Sequence, residues 1–295
     1  MNPPLIISAS RRTDIPAFYP GWFMERIRAG SAKVQHPFTK KEISVSLRPE
    51  DVVALVFWTK DFSPMLEHLE ELEARGFNCL VHYTITGLGK NFEPNAPAPE
   101  QAVEFFKKLS GRIGPERVLW RFDPIIFTEK IGEEETVARF EKLLENISGR
   151  AMRVYFSFVE LYARVLRRIK IYESENQDRV LVSELESKQR VSLRLAELAR
   201  SKGMSIHACC QPGLAGFGIE PASCMDAHLI AKLTGKNFEL KPSPTRNSCG
   251  CYYSLDIGAY DSCPHLCWYC YANSHPALVK KRHASHRPEQ EFLVK

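Results

Sequence analysis

The sequence predicts an α/β protein built on parallel strands and folded as one domain. Short apolar or β-branched runs alternate with longer segments of helical period, which is typical of βα units. The 295 residues are 44% hydrophobic, enough for a large buried core. No low-complexity tract, long linker or fixed-period repeat divides the chain. We therefore expect a single domain over residues 1–295, with a parallel sheet or barrel at its centre.

Seven runs have the length and composition of strands. The predicted strands are Leu5–Ala9, Val52–Trp58, Cys79–Ile85, Val118–Phe122, Val154–Val159, Ser205–Cys209 and Tyr252–Ile257. Residues Ala32–Leu47 predict a small hairpin between the first two βα units, because β-branched residues flank a polar turn there.

Four segments predict helices between these strands. They are Pro64–Arg75, Pro99–Leu109, Glu134–Asn146 and Ser183–Ser201. The first two open with proline, which suits a first helical turn, and Gly76 follows the first of them. Residues 211–248 are rich in glycine and proline and predict an irregular cap, and the tail after His275 is expected to begin as a helix.

Composition narrows the class of protein. The formal charge of +5 is compatible with an anionic substrate, and no run of eighteen apolar residues suggests a membrane span. The apolar stretch before Arg11 is too short for a signal peptide, so we expect a cytoplasmic protein without a membrane partner. Nine cysteines in a reducing compartment favour metal binding or redox chemistry over disulfides.

Polar residues recur where the predicted strands end. The carboxyl ends of parallel strands meet at one edge, where active sites of such folds lie. The candidate catalytic residues on this ground are Arg11, Arg12, Asp14, Arg121 and Glu160. The two arginines suit a carboxylate or phosphate, and an internal Arg–Asp salt bridge explains them equally well. Arg121 would face the barrel mouth if Trp120 and Phe122 pack outward against helices.

Three cysteines form the strongest motif, Cys263-Pro-His-Leu-Cys267-Trp-Tyr-Cys270. Three closely spaced thiolates can hold three irons of a 4Fe–4S cluster and leave the fourth iron open to a small molecule. Structural zinc sites usually have four protein ligands, commonly in two separated pairs. His265 could be a fourth ligand only with awkward local geometry.

The spacing of these cysteines, with aromatic Tyr269 before the last, resembles the radical S-adenosylmethionine superfamily. The continuation Tyr269-Cys270-Tyr271-Ala272 is most similar to spore photoproduct lyase and its relatives. The resemblance implies that the open iron chelates S-adenosylmethionine, and that one electron releases methionine and a 5′-deoxyadenosyl radical, which abstracts hydrogen from a substrate. It also implies an electron donor such as flavodoxin or ferredoxin.

The motif stands near the end of this chain, whereas superfamily members usually carry it on the first strand–helix connection. Because Tyr252–Ile257 predicts a strand entering the cysteine loop, we expect a circularly permuted partial (βα) TIM-like barrel in which this strand precedes Leu5–Ala9 in space. The segments SRRTDIP near the start and CGC, DIGAY and YCYAN near the end resemble one such permuted branch. The cluster-binding segment is then 249–275.

Contacts to the cofactor are less defined by the sequence. The Gly-Gly-Glu segment that usually holds the methionine amino group is absent after Leu5–Ala9. Tyr269 is a candidate because it precedes the last cysteine, and Thr84 and Glu160 are candidates by position alone.

The remaining clustered cysteines suggest a second metal centre. The preferred ligand set is Cys210, Cys224, Cys249 and Cys251, with Cys209 facing the core as a strand residue. A zinc site, or cysteines that are only buried or reactive, are together equally good explanations. The cofactors predicted are thus one 4Fe–4S cluster, or two, and S-adenosylmethionine.

The function predicted from the sequence is that of a radical S-adenosylmethionine enzyme acting on a small, modestly anionic substrate. One alternative is a zinc-stabilised nucleic-acid-binding or scaffold protein; another is a radical lyase acting on DNA lesions. A basic and aromatic stretch could meet nucleic acid, although a solvated helix face explains it better. Its members are Tyr162, Arg164, Arg167, Arg168, Lys170 and Tyr172.

Overall fold

The computed structural model describes residues 5–37, 39–239 and 241–294 as a mixed α/β protein around one large sheet. The strands are β1 (Leu5–Ala9), β2 (Ser31–Gln35), β3 (Glu42–Ser46), β4 (Val52–Thr59), β5 (Cys79–Thr84), β6 (Val118–Ile125), β7 (Phe127–Thr128), β8 (Arg153–Phe158), β9 (Val180–Leu181), β10 (Ser205–Ala208), β11 (Ile219–Pro221) and β12 (Leu255–Asp256). The helices are α1 (Ile15–Phe18), α2 (Pro20–Ala29), α3 (Leu69–Ala74), α4 (Gly89–Phe92), α5 (Pro99–Ile113), α6 (Glu133–Ile147), α7 (Ala163–Asn176), α8 (Leu185–Ser201), α9 (Ala227–Thr234) and α10 (Pro276–Ala284).

The central sheet has eight strands in the order β11–β10–β8–β6–β5–β4–β1–β12, and every neighbouring pair is parallel. All seven predicted strands are in it, although the last is reduced to Leu255–Asp256. The strands β11 and β12 are the two outermost strands of this sheet and do not pair with each other, so in the described part of the chain the sheet is not closed into a barrel. The predicted hairpin is confirmed, since β2 and β3 pair antiparallel.

The last strand of the sheet lies beside the first strand of the chain. Ile7 pairs with Leu255 and Ser8 with Asp256 in parallel register. This pairing places the loop after β12, which carries Cys263, Cys267 and Cys270, at the same sheet edge as the end of β1.

The sheet has two differently covered faces. On the outer face, Trp120 stacks on Phe140 of α6 with ring centroids 4.9 Å apart, as part of the main core. On the inner face, Leu80 and Leu119 pack with Met225 and α9 from residues 211–248. Because strand side chains alternate between faces, Arg121 points inward, as expected from the outward packing of Trp120.

Several helices differ from their predictions. The predicted helix Pro64–Arg75 is divided into a 3-10 turn, Ser63–His68, and α3, because tight 3-10 turns often occupy helix starts. Residues 211–248 are less irregular than predicted, since β11 and α9 lie within them. The tail does begin as a helix, α10.

Among the described residues, no helix is both long and apolar enough to cross a membrane.

The basic and aromatic stretch forms helix α7, and its residues divide between two environments. Arg167 and Lys170 are exposed, as a solvated helix face requires. Arg168 and Tyr172 are buried, so for these two the solvated-face prediction is wrong. The ring of Tyr172 stacks on Phe92, 4.2 Å between centroids.

Candidate functional site

The Cys263–Cys267–Cys270 loop follows β12 at the carboxyl edge of the sheet. Cys267 is buried and the other two thiols are half-buried. The Asn273 amide ties the loop together by donating to the Cys263 carbonyl at 2.6 Å and accepting from its N–H at 3.4 Å. Burial raises the pKa of all three thiols, that of Cys267 to about 12, so without a metal they are neutral. The loop thus groups three thiols in one partly enclosed place.

His265 lies between the first two cysteines, and other groups hold its ring. Its Nε2 is 2.7 Å from Asp14 Oδ2, and its Nδ1 is 3.2 Å from the Asn95 carbonyl oxygen. The ring is also buried, with its edge against Phe18. Neither ring nitrogen is therefore available as a fourth metal ligand unless these contacts break.

Asp14, a predicted catalytic residue, lies at this site with both carboxylate oxygens in use. Its Oδ1 accepts from the Ala17 N–H and caps α1, and its Oδ2 accepts from the Lys60 N–H at 2.7 Å as well as contacting His265. The carboxylate therefore joins β1, β4 and the cysteine loop.

Arg168 of α7 holds the same loop from the other side. Its guanidinium donates to three successive carbonyl oxygens, those of Leu266 at 2.8 Å, Cys267 at 2.9 Å and Trp268 at 3.3 Å. It also lies over the Trp268 ring, 5.4 Å from the centroid. A cation that satisfies three carbonyls fixes the path of the loop through Cys267, where Leu266 has a left-handed backbone, φ 55°.

A buried ion pair adjoins Tyr269, a predicted cofactor contact. Glu93 accepts from Lys60 Nζ at 2.8 Å, from Thr86 Oγ1 at 2.7 Å and from the Tyr269 hydroxyl. Burial opposes ionisation of Glu93, but the Lys60 charge and the hydrogen bonds from Lys60, Tyr269 and Thr86 together outweigh burial and hold the pKa of Glu93 below its usual 4.5. The Tyr269 hydroxyl is therefore already bonded within the protein. Thr84 borders a small cavity beside this pair, of about 20 Å³.

Sequence reasoning missed Glu93 as a site residue. It follows the one-turn helix α4 and belongs to no strand end or motif. Lys60 and Thr86 were recognisable as polar residues following strands, but nothing in the sequence indicated a buried carboxylate between them.

Arg11 and Arg12 pair with Asp256 of β12. Their Nε atoms lie 3.9 and 4.0 Å from its carboxylate oxygens. That carboxylate also accepts from Ser8 and Ser10, each at 2.7 Å, and from the Arg11 N–H at 2.9 Å. The two arginines thus form a salt bridge, with Asp256 and not Asp14 as the partner. Their side chains remain about one-fifth exposed.

Arg121 occupies the inner face of the sheet. It forms an ion pair with Asp123, and its Nη1 donates to Cys224 Sγ at 3.2 Å. Glu160, predicted as both catalytic and cofactor-binding, contacts Tyr162 and Arg246, the latter at 3.2 Å. Arg246 in turn reaches Cys209 Sγ at 3.8 Å. The contacts of Arg121 and Glu160 therefore lead to the second group of cysteines.

The second group, which we call the five-thiol group, consists of Cys209, Cys210, Cys224, Cys249 and Cys251. Cys209 Sγ lies 3.3 Å from Cys224 Sγ and 3.9 Å from Cys210 Sγ. Cys249 makes side-chain contacts with Cys210 and Cys251, and Cys251 also contacts Cys224. Each sulfur thus touches two others, and the contacts form a closed ring.

The five-thiol group extends one sequence prediction. Cys209 was expected to face the core as a strand residue, and it is buried in the core of the inner face. It was not expected to join the other four cysteines, but its sulfur contacts those of Cys210 and Cys224. The strand β10 ends at Ala208, and Cys210 has a left-handed backbone, φ 56°, so both sulfurs lie on the same side. In the described residues as they stand, no three or more His, Cys, Asp and Glu side chains form a ready-made metal site.

One known protein family matches most of this chain. The family described as "Domain of unknown function (DUF1848)" matches residues 6–272. The chain belongs to this family. The matched region includes both groups of cysteines and ends just after Cys270, before α10. No curated protein matches the chain.

Proposed function

We propose that this protein is a radical S-adenosylmethionine enzyme whose 4Fe–4S cluster is held by Cys263, Cys267 and Cys270. The observation that carries the proposal is that three thiols lie together in one loop whose histidine has both ring nitrogens engaged by other residues. His265 is bonded at both ring nitrogens, so the loop offers three protein ligands. A structural zinc site closes its tetrahedron with a fourth protein ligand, whereas a radical cluster needs one iron without a protein ligand.

The surroundings of the loop suit such a cluster. The three cysteine thiols must lose their protons when they bind metal, and nearby positive groups favour that loss. Lys60 opposes the burial effect at Cys267, and Arg168 does so at Cys270. The Ala272 N–H lies 3.4 Å from Cys270 Sγ and can donate to a bound thiolate. Burial then shields the cluster from bulk water.

When bound, the cluster would supply the electron that splits S-adenosylmethionine into methionine and a 5′-deoxyadenosyl radical. Arg11 and Arg12 would hold a carboxylate at the end of β1, because both side chains remain partly exposed beside Asp256. Tyr269, Thr84 and Glu160 remain the predicted contacts to the cofactor. The electron itself would come from a donor such as flavodoxin or ferredoxin.

The sheet order supports a permuted partial barrel. In an unpermuted chain the cysteine loop follows the first strand, and here β12 lies parallel beside β1. The loop therefore opens onto the edge where β1, β4, β5 and β6 end. Arg121 and Glu160 lie beyond it, toward the five-thiol group, where a modestly anionic substrate would be received.

The test is anaerobic reconstitution followed by iron and sulfide analysis, low-temperature EPR and an assay for 5′-deoxyadenosine. We expect about four irons for this loop and an EPR signal that shifts when S-adenosylmethionine is added. Cys263→Ala, Cys267→Ala and Cys270→Ala should each abolish 5′-deoxyadenosine formation. Cys79→Ala is the matched control, because Cys79 is a buried thiol of β5 outside both cysteine groups.

His265→Asn separates the cluster from the zinc alternative. Because His265 is a positioning residue in this proposal, the variant should keep the iron content and the EPR signal. Loss of metal in His265→Asn equal to that in Cys267→Ala would show a Cys₃His site. Ordinary 5′-deoxyadenosine formation by a Cys267→Ala enzyme would refute the assignment.

A further inference from the structure

We infer that the five-thiol group is a binding site for a single tetrahedral zinc ion, separate from the Cys263–Cys267–Cys270 loop. The inference does not rest on the radical chemistry proposed above, because it concerns a different set of residues. It extends the sequence prediction in two ways, since Cys209 joins the candidate ligands and, of the cluster and the zinc site considered there, the sulfur distances favour the zinc ion.

The distances between sulfurs favour one ion over a cluster. Zinc–thiolate bonds of about 2.3 Å in a tetrahedron place the sulfurs about 3.8 Å apart. The distances from Cys209 Sγ to Cys210 Sγ and Cys224 Sγ, 3.9 and 3.3 Å, lie within a few tenths of an ångström of that value. Thiolates that bind different irons of a cubane must lie much further apart, because bridging sulfides separate the irons. Small outward shifts of the sulfurs would therefore admit an ion.

The backbone that brings the thiols together has unfavourable left-handed conformations at two residues. Cys210 has φ 56°, and Ser248, next to Cys249, has φ 59°. Left-handed conformations are unfavourable for residues other than glycine and persist where the surrounding structure requires them. Both positions lie where the chain turns a cysteine toward the group.

Positive and N–H groups around the thiols suit a thiolate-bound ion. Four thiolates around Zn²⁺ carry a net charge of −2. Arg121 donates to Cys224 Sγ at 3.2 Å, and Arg246 approaches Cys209 Sγ at 3.8 Å. The Met225 N–H lies 3.4 Å from Cys251 Sγ. Such outer contacts orient the ligands and stabilise their charge.

The group is also reachable from outside. A groove of about 460 Å³ is bordered by Cys210 and Cys249, together with Gln211, Ser248 and Tyr252. These two thiols are half-buried, whereas Cys209, Cys224 and Cys251 are buried. An ion could therefore enter past Cys210 and Cys249 and be enclosed by the other three.

The experiment measures zinc, iron and sulfide in the full-length protein by elemental analysis after purification under reducing, anaerobic conditions. We expect one zinc per chain in the wild type and in the Cys263→Ala/Cys267→Ala/Cys270→Ala variant. The Cys249→Ala/Cys251→Ala variant leaves only three thiols in the group, so it should lose the zinc. Cys79→Ala should keep it. Cobalt in place of zinc should give the intense visible absorption of a tetrahedral thiolate site, and only when Cys249 and Cys251 are present.

A measurement on the wild type guards against misfolding of the double variant. Titration of zinc-loaded protein with a mercurial reagent should release one zinc as the thiols react. Four irons with sulfide in the Cys263→Ala/Cys267→Ala/Cys270→Ala variant would show a second cluster and overturn the inference. Zinc-free protein whose five thiols all react freely, and which takes up no added zinc or cobalt, would overturn it as well.

Discussion

Replacement of Arg168 by Met should release the Cys263–Cys267–Cys270 loop from α7. The methionine keeps much of the apolar volume of the arginine and packs in the same buried place, but it cannot donate to the carbonyls of Leu266, Cys267 and Trp268. In the native protein these carbonyls accept from Arg168 at 2.8, 2.9 and 3.3 Å. The variant therefore removes one cation and leaves three acceptors of a half-buried loop without their partner.

The expected magnitude follows from the two shorter contacts. A hydrogen bond from a charged donor contributes about 1.5–3 kcal/mol, so two contribute about 3–6 kcal/mol. Carbonyls of a half-buried loop recover part of this by binding water. We expect a loss of about 2–4 kcal/mol in the free energy of unfolding, which a domain of ordinary stability, about 5–15 kcal/mol, survives. The variant should fold with a loosened loop and bind iron poorly.

Urea unfolding followed by circular dichroism measures the loss of stability. Iron analysis after anaerobic reconstitution measures how much metal the loop still binds. Arg167→Met is the matched control, because Arg167 is the exposed neighbour of Arg168 and donates to the Ala163 carbonyl of its own helix. The control should unfold within about 0.5 kcal/mol of the wild type. If Arg168→Met matched the control in both stability and iron content, the contacts of Arg168 would not position the loop.

Two further predictions concern buried contacts near the same edge of the sheet. Lys60→Met should cost about 3–5 kcal/mol, because it leaves Glu93 buried without its cation, and adding Glu93→Gln should recover most of the loss. Since the folded pKa of Glu93 lies below its usual 4.5, the stability that this pair contributes is present at neutral pH and declines as pH falls below about 4.5. Urea unfolding of the wild type and the double variant at pH 7 and pH 4 measures this decline. Equal differences in unfolding free energy between the two proteins at both pH values would contradict the prediction. Gly258→Ala should cost about 1–3 kcal/mol, because the added Cβ would lie 2.0 Å from Ser10 Oγ and 2.5 Å from Ser10 Cβ. Gly111→Ala, in open space on α5, should be neutral or stabilising by the same measurement.

Local patterns in the sequence determined the framework of this protein. Seven of the eight strands of the sheet, the hairpin and the helices α5, α6 and α8 were predictable, because hydrophobic period and turn residues act over a few neighbours. The grouping of Cys263, Cys267 and Cys270 was equally predictable, since five intervening residues hold them in one loop. The position of β12 beside β1 followed from the motif and the permuted order together.

Contacts between distant residues were decided only by the tertiary structure. Arg11 and Arg12 stand beside Asp14 in the sequence but pair with Asp256, because parallel pairing of β1 and β12 places that carboxylate at the end of β1. Glu93 became a buried partner of Lys60 through the packing of α4 near the strand ends.

The five-thiol group shows the same division most clearly. The sequence placed five cysteines in the last third of the chain and favoured four of them as ligands. Cys209 is buried in the core as expected, but the sequence could not predict that it also contacts Cys210 and Cys224, because a core-facing strand residue was expected to lie apart from the other four. The end of β10 at Ala208 and the left-handed backbone of Cys210 reversed that expectation. Which side a single residue faces at the end of a strand depends on backbone angles that its neighbours in sequence do not fix, and the fold alone sets them.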